Sequence, residues 1–572
     1  MNHLFKNLWI YLSIKRKKQA IGLLFFSILT SIFEVLTIGS IFSLLTYLTQ
    51  IKSDDFLNSS NVIENSSIFL NFQFTSDIIF IFFMLFLILA CVFRIILLWC
   101  TLRYSHTIGS DMGVLMFKKT LQQPLEFHFA NTTSTIISNL TKKIHILSME
   151  IVHPIILVLS NIIIILGIIS YLLFNMGVEV LGVFGLFICV FYFFWKLSKS
   201  RIMLNSKIVS ENSDLLIKTI SETMSAIKLI AMKQIYSVFT DKFDEINRKL
   251  KFAEGDNVFL SQSIRIWLEL IIILLGTIFC LISIKMGVFL NLLPVLGGVV
   301  FGVYRIIPLI LKAYSGFATI MGARESFYDI LDYLKLKDTN AENNKNIEII
   351  TFNDKIILSD LYYFYPNKTI ASLKAINCYI DKNKVTAIIG ETGSGKTTLV
   401  SLIAGLMMPS KGKLYIDKKL LNQNNLSNWK NKISYVPQET IIIDGSISAN
   451  ISLGLNENIN MNQLIKALEI TKLDKFIPYI NSEKKMGERG IKISGGERQR
   501  IGLARAIYDN KEIIILDEPF SALDKTTAEL ILLNIKNYKK YTILIITHDK
   551  FVVPFCDNVI KLNNGKLLIS KS

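Results

Sequence analysis

Six apolar runs, each long enough to cross the ~30 Å hydrocarbon core of a bilayer, fall before residue 320. They lie at roughly 19–48, 77–102, 151–174, 178–196, 258–282 and 290–313. Such runs fold among lipids as helices, because a helix satisfies its own backbone where no water can. They also account for a hydrophobic content of 51% and a mean hydropathy of +0.45. After residue 350 the composition is that of an ordinary soluble α/β domain. The 572 residues therefore divide into a membrane half, 1–330, and a soluble half, 346–572.

The formal charge of +17 follows from the same division. Lys15, Arg16, Lys17 and Lys18 stand immediately before the first run, and membrane proteins concentrate such residues on the cytoplasmic side. That explanation removes the case for a nucleic-acid partner and sets the N-terminus in the cytoplasm. Six spans then return the chain to the cytoplasm, where the soluble half lies. No cleavable signal peptide is expected, since the first run lacks a small-residue cleavage site and continues as a span. The six cysteines make no Cys-x-x-Cys pair and read as reduced thiols.

The connections alternate in character. The first external one sets Lys52 against Asp54, Asp55, Glu64 and Asp77, and its half-apolar stretch Phe56–Phe72 reads equally as a plain loop or a short helix at the outer surface. The connections at 103–150 and 197–257 are long, polar and helix-forming. They read as helices continuing into the cytoplasm and turning back through Pro124–Asn131 and Glu222–Ala231, segments able to touch the soluble half. Ahead of the first span, Leu4, Phe5, Leu8, Trp9 and Leu12 recur at helical spacing, as in an amphipathic helix on the inner surface.

In the soluble half, Gly390-Glu391-Thr392-Gly393-Ser394-Gly395-Lys396-Thr397 matches G-x-x-x-x-G-K-[ST], following a strand-like run from Val385 and preceding an apolar helix, with Thr398 next in the chain as a further nucleotide-binding candidate. Its glycines let backbone N–H groups close around phosphate oxygens at a helix N-terminus. Lys396 is placed to reach the β- and γ-phosphates, and the Thr397 hydroxyl to ligate Mg²⁺. Ile513-Ile514-Ile515-Leu516-Asp517-Glu518 is a buried strand ending in two acids. Asp517 suits the Mg²⁺ shell and Glu518 the polarisation of an attacking water.

Seventeen residues before Asp517 ends the run Ile493-Ser494-Gly495-Gly496-Glu497-Arg498-Gln499-Arg500, which resembles the signature sequence of the ABC transporters. The spans and alternating loops resemble the exporter-type transmembrane domain of that family. The implied fold is a six-span helical domain followed by an α/β P-loop ATP-binding domain, in a multi-pass protein of the bacterial inner membrane. The resemblance implies that two such domains face head to tail, Ser494, Gly495, Gly496 and Glu497 of one meeting the ATP held by the other. It also implies that Tyr365 stacks on adenine, that Gln438 senses the γ-phosphate and the metal, and that Asp524 in Ser521-Ala522-Leu523-Asp524 bridges the dimer. His548 would contact the γ-phosphate beside Glu518, and Glu488-Arg489-Gly490 would touch the coupling segments. Ile493 stands where the family has leucine, and Glu497 where it has glutamine, a change expected at most to slow hydrolysis. The intact motifs favour a homodimer over a heterodimer, in which one site is often spoiled, and the resemblance implies the use of ATP and Mg²⁺.

Arg94, Arg265 and Arg305 lie 17, 17 and 15 residues from the outer ends of their spans at Asp77, Ile282 and Leu290. At ~1.5 Å per residue this puts all three roughly 22–26 Å deep. Intramembrane charge is a functional signal by default, and arginines at one level suit a phosphate or pyrophosphate. Glu269 and Glu34 offer the other reading, structural ion pairs. Phe33-Glu34-Val35-Leu36-Thr37-Ile38-Gly39-Ser40, Val92-Phe93-Arg94, Arg265-Ile266-Trp267-Leu268-Glu269 and Val303-Tyr304-Arg305-Ile306-Ile307-Pro308 resemble the PglK-like flippases of lipid-linked oligosaccharides. That resemblance implies an arginine belt for the pyrophosphate of a polyprenyl-linked glycan, and a use of any external helix at 56–72 by the lipid tail. An exporter of peptides, lipids or drugs is the main rival. No peptidase segment precedes the first span, which weakens its processing-exporter version. An ATP-gated regulator that transports nothing is opposed by the intact Glu518 and His548.

Overall fold

The computed structural model describes residues 9–50, 76–176, 180–285, 289–336, 348–366, 368–453, 459–480, 486, 493–538 and 541–571. Leu4, Phe5 and Leu8, the stretch Phe56–Phe72, and Glu488-Arg489-Gly490 lie outside them. Two compact units emerge, one of 1–121 with 131–337, the other of 122–130 with 338–572.

The helices in chain order are α1 (Ile14–Gln50), α2 (Ser76–Leu121), α3 (Leu125–Ala130), α4 (Thr133–Leu140), α5 (Lys142–Ile146), α6 (His153–Met176), α7 (Val180–Ser225), α8 (Ile227–Lys233), α9 (Tyr236–Lys285), α10 (Phe289–Gly322) and α11 (Arg324–Leu334). All but α3 belong to the first unit. Among the described residues, four stretches are long and apolar enough to cross a membrane, Ile14–Leu44, Phe80–Leu121, Thr133–Phe174 and Phe301–Gly322. Helices α7 and α9 carry the other two apolar runs. Helices α2 and α7 have 46 residues each and α9 has 50, about twice what a span requires. The excess is the polar helical sequence of the two long connections.

Helix α1 packs through hydroxyls. Ser27, Thr30, Ser31, Glu34 and Thr37 are all buried on it, and Ser27 Oγ donates to Ser160 Oγ at 2.8 Å. A Cβ on Gly167 of α6 would stand 2.1 Å from Ser31 Oγ, so only glycine allows this approach, as small residues do between helices in lipid. Ahead of α6 the backbone takes a π turn over Leu147–Val152. Pro154 has no N–H and crowds the preceding turn, and the wider turn absorbs that mismatch.

Beyond the apolar runs, charges replace hydroxyls. Lys143 of α5, 3% exposed, is paired with Asp214 of α7 at 3.0 Å and Asp329 of α11 at 2.8 Å. Ser138 and Ser210 donate to the same two carboxylates. Lys119 Nζ donates to the carbonyls of Leu334 and Leu336, satisfying the open end of α11. Leu12 is buried and Trp9 packs beside it against a cluster that includes Tyr104, Met112 and Met116. This end of the amphipathic stretch thus covers the helical bundle itself, where the spacing alone suggested a membrane surface.

The second unit holds β1 (Lys355–Tyr363), β2 (Leu373–Asp381), β3 (Val385–Gly390), α12 (Lys396–Ile403), β4 (Lys411–Ile416), β5 (Lys419–Leu420), α13 (Leu426–Lys430), β6 (Ile433–Val436), α14 (Ile447–Ser452), α15 (Met461–Ile470), α16 (Gly495–Asp509), β7 (Ile513–Asp517), α17 (Lys525–Tyr538), β8 (Thr542–Ile546), β9 (Asn558–Asn563) and β10 (Lys566–Lys571). An antiparallel sheet runs β2-β1-β4-β5, and a six-stranded sheet runs β10-β9-β3-β8-β7-β6. In the latter, β9, β3, β8, β7 and β6 are parallel. Strands β7 and β8 are buried throughout, as their near-continuous isoleucine and leucine runs require of a sheet covered on both faces. Segment 122–130 joins this unit. Leu125 packs on its core, Tyr363 Oη donates to Glu126 at 3.5 Å, and Phe129 meets the Tyr365 ring edge-on at 5.8 Å.

Candidate functional site

The carboxyl ends of β3, β6, β7 and β8 bring the predicted phosphate-handling residues to one edge of the parallel sheet, where open α/β sheets bind ligands. After β3 the chain turns through 391–395. Gly395 caps α12 with φ +98°, and a Cβ there would stand 2.8 Å from Leu373 Cδ2, so this corner needs glycine. Lys396 is 8% exposed and donates to the carbonyls of Gly390 and Glu391, both at 2.9 Å. Ser394 Oγ is buried and, among the described residues, has no hydrogen-bond partner. A buried ammonium, an unsatisfied hydroxyl and a helix N-terminus fit an anion. Tyr365 Oη shares a hydrogen bond with Thr398 Oγ1 at 3.0 Å, and its ring lies edge-on to Tyr363 at 5.1 Å.

Asp517 closes β7, 5% exposed, and accepts from Tyr435 Oη at 3.2 Å. Burial raises its pKa above the ordinary range against that hydrogen bond; the Glu518 charge adds to the rise, and Thr397 and Lys396 oppose it. Glu518 follows in the left-handed region, φ 47°, held by its N–H on the Ile546 carbonyl at 3.0 Å. A non-glycine residue takes that conformation only where its surroundings impose it, and such strain concentrates at functional sites. The turn presents the carboxylate to its neighbours. Gln438 Nε2 donates to it at 2.7 Å, and His548 Nδ1 lies 3.5 Å from it, with the ring 60% exposed.

The Ser494–Glu497 segment forms a capping box. Ser494 Oγ accepts from the Glu497 N–H, and the Glu497 carboxylate accepts from the Ser494 N–H at 2.8 Å, so two orphan donors of α16 are satisfied reciprocally. Lys475 pairs with the same carboxylate. Burial would raise the Glu497 pKa, but the bonds from Lys475 and Ser494 outweigh it and lower the value. Gly495 and Gly496 are the first two residues of α16. Asp524 caps α17, accepting from Thr526 Oγ1 at 2.6 Å and the Thr527 N–H at 2.9 Å. Sequence reasoning passed over three supports. Tyr435 positions Asp517, Lys475 offsets Glu497, and Gln499 joins α16 to the next loop by donating to Ser521 Oγ and accepting from the Ala522 N–H. Only the Ser-x-x-Glu spacing had a signal in the chain.

In the first unit, Glu34 of α1 lies 3.5 Å from Arg94 Nη1 of α2 and 3.4 Å from Arg305 Nη1 of α10. The Arg305 guanidinium also sits over the Phe301 ring, 5.4 Å from its centroid. Arg265 is not in this group of contacts. Its Nε donates to Glu269, one turn along α9, at 2.8 Å, and its side chain is 69% exposed.

Two family models match the chain. The one described as the ABC transporter transmembrane region covers residues 20–292, and the one described as ABC transporter covers 373–521. An ATP-dependent lipid A-core flippase of Pectobacterium atrosepticum is 24% identical over 495 residues, 82% of this chain and 81% of that protein. A multidrug resistance-like ATP-binding protein, MdlA, of Buchnera aphidicola is 34% identical over 224 residues, and the chain spans 38% of that relative's length. Among solved structures, a bacterial Atm1-family ABC exporter with ATP bound is similar in fold, with a TM-score of 0.77 at 16% identity over 97% of this chain and 95% of that one.

Proposed function

We propose, on the premise that this chain is an exporter-type ABC transporter with its transmembrane and ATP-binding domains in one polypeptide and ATP hydrolysis coupled to transport, that its cargo is an anionic lipid-linked oligosaccharide flipped across a bacterial inner membrane. The observation that carries this reading is the meeting of two arginines from different apolar helices at one buried carboxylate. Keeping that much charge among apolar helices is costly, and a planar guanidinium is the group best suited to a phosphate. Arg265 is assigned to the same cargo as a third, more exposed contact. The relative named as a lipid A-core flippase supports a lipid cargo.

In the ATP site, Lys396 and the loop N–H groups hold the phosphates and Tyr365 lies beside the base. Glu518 takes the proton of a water whose oxygen attacks the γ-phosphorus as the bond to the bridging oxygen breaks. Gln438 and His548 orient Glu518. Thr397, Asp517 and Gln438 offer the hard oxygen donors that suit Mg²⁺. The ion, when bound, neutralises charge on the β- and γ-phosphates. A second copy supplies Ser494, Gly495, Gly496 and Glu497 across a homodimer, with Asp524 at the junction. ATP binding closes that dimer and opens the spans outward, and hydrolysis resets them.

The test is flipping of a fluorescent polyprenyl-pyrophosphate oligosaccharide in proteoliposomes. ATP-dependent flipping is expected from the native chain and is lost in Glu518→Gln and Arg305→Ala. Intact ATPase activity without flipping overturns this cargo and points to peptides, drugs or other lipids.

A further inference from the structure

Glu34 carries its charge differently from other acids paired with arginine in this chain. Asp111 takes Arg16 in a fork, with Nε at 2.7 Å and Nη2 at 3.2 Å, and Glu269 takes Arg265 Nε at 2.8 Å. Those are the short, aligned contacts of permanent charge-assisted pairs. Glu34 is 1% exposed, yet its contacts to Arg94 and Arg305 are 3.5 and 3.4 Å. Both of its carboxylate oxygens are buried without a hydrogen-bond partner among the described residues, and so is Arg305 Nε. Donors and acceptors are thus left unused where an unmade hydrogen bond costs most.

The three side chains also differ in access. Those of Arg94 and Arg305 remain 35% and 16% exposed, while Glu34 is enclosed. An incoming oxyanion therefore reaches the guanidiniums and not the acid. Phe301 supports the Arg305 guanidinium independently of Glu34, so the arginine has a second hold when its charge partner changes.

We propose that Glu34 is a resident counter-ion that holds Arg94 and Arg305 together among α1, α2 and α10 and competes with the phosphate-type oxyanion of the cargo for them. Binding is then an exchange of partners. The oxyanion takes the accessible N–H groups of the two guanidiniums in place of Glu34, and the charge of Glu34 weakens the hold enough for release. The inference rests on the anionic-cargo reading above and names a specificity-determining residue within it.

The experiment measures equilibrium binding of a polyprenyl pyrophosphate to the full chain in nanodiscs, for native protein, Arg305→Ala, Glu34→Asp and Glu34→Gln. Arg305→Ala is expected to weaken binding tenfold or more. Glu34→Gln, which keeps the shape and removes the charge, is expected to tighten it about tenfold, the effect of about 1.4 kcal/mol. Glu34→Asp, whose charge retreats by one methylene, falls between native and Glu34→Gln. If Glu34→Gln does not fold, tighter binding by Glu34→Asp than by native protein supports the exchange, and equal or weaker binding overturns it. If Arg305→Ala weakens binding while Glu34→Gln does not tighten it, the counter-ion role fails and the anionic cargo stands. If the native chain does not bind, or binds no better than Arg305→Ala, both readings fall.

Discussion

The ATP site and the arginine pair each centre on one glutamate, and the two are held in opposite ways. Glu518 has an aligned 2.7 Å hydrogen bond from a neutral amide and a backbone forced into a left-handed turn. Its position is over-determined, which suits the proton-handling role proposed for it. Glu34 has two cations at 3.4 and 3.5 Å and, among the described residues, no hydrogen bond. On the proposed reading, one site serves repeatable chemistry on a constant substrate and the other takes up and lets go of a charge. Bond geometry separates these roles where residue type does not.

The sharpest way to break this contrast is at Glu518. Glu518→Gln is expected to lower ATP turnover by about 10²–10⁴-fold, the usual contribution of a general base, with nucleotide binding retained. Turnover within tenfold of native would remove Glu518 from the chemistry. In the first unit, well-bonded and loosely bonded charges should part company. Lys143→Met removes hydrogen bonds of 2.8 and 3.0 Å from a buried ammonium and should cost about 2–3 kcal/mol. Arg94→Met removes a partner held without a hydrogen bond among the described residues and leaves Glu34 with Arg305 as counter-charge. It should therefore cost less than Lys143→Met, which strips two carboxylates of their shared ammonium. Chemical unfolding in detergent compares the two, and equal losses would refute the distinction.

Smaller effects test the ATP site's scaffold. Ser494→Ala removes one half of the capping box and should destabilise the chain by about 1 kcal/mol, read as a lower melting temperature. The smallest effect concerns pH. Hydrogen bonds from Thr526 and Thr527 pull the Asp524 pKa from 3.8 down to about 2. Because the folded value is the lower one, this stabilisation is present above about pH 4 and is lost as pH falls through about 2. The melting-temperature gap between native chain and Asp524→Ala should be constant near neutral pH and narrow below about pH 4. A gap independent of pH would show that the cap does not act through its charge.

What the sequence revealed follows the same line. Residues 390–397, 494–497 and 513–518 are contiguous, so short-range chemistry exposed them. The apolar runs were readable because length and hydropathy are local properties. Glu34, Arg94 and Arg305 come from three helices, and depth counting set Arg265 beside them. Depth says nothing of the direction a side chain takes around its helix, and Arg265 turned to Glu269 on its own α9. Trp9 and Leu12 have the spacing of a membrane-surface helix, but periodicity marks a face without saying what covers it. Tyr435, Lys475 and Gln499 act by meeting residues 22 to 82 positions away, beyond the reach of any motif. The left-handed turn at Glu518 carries no glycine to announce it.

Residues 122–130 share the second unit with 338–572, so that unit is assembled from two separate lengths of polypeptide. A gene cut at residue 338 would express an ATP-binding fragment missing part of itself. Leu125 would be absent from the core, and the Tyr363–Tyr365 face would lose Glu126 and Phe129. A synthetic peptide of residues 122–130 added back to such a fragment becomes a ligand for it. Its binding strength would measure, without any membrane, how firmly residues 122–130 are held by the rest of their own unit.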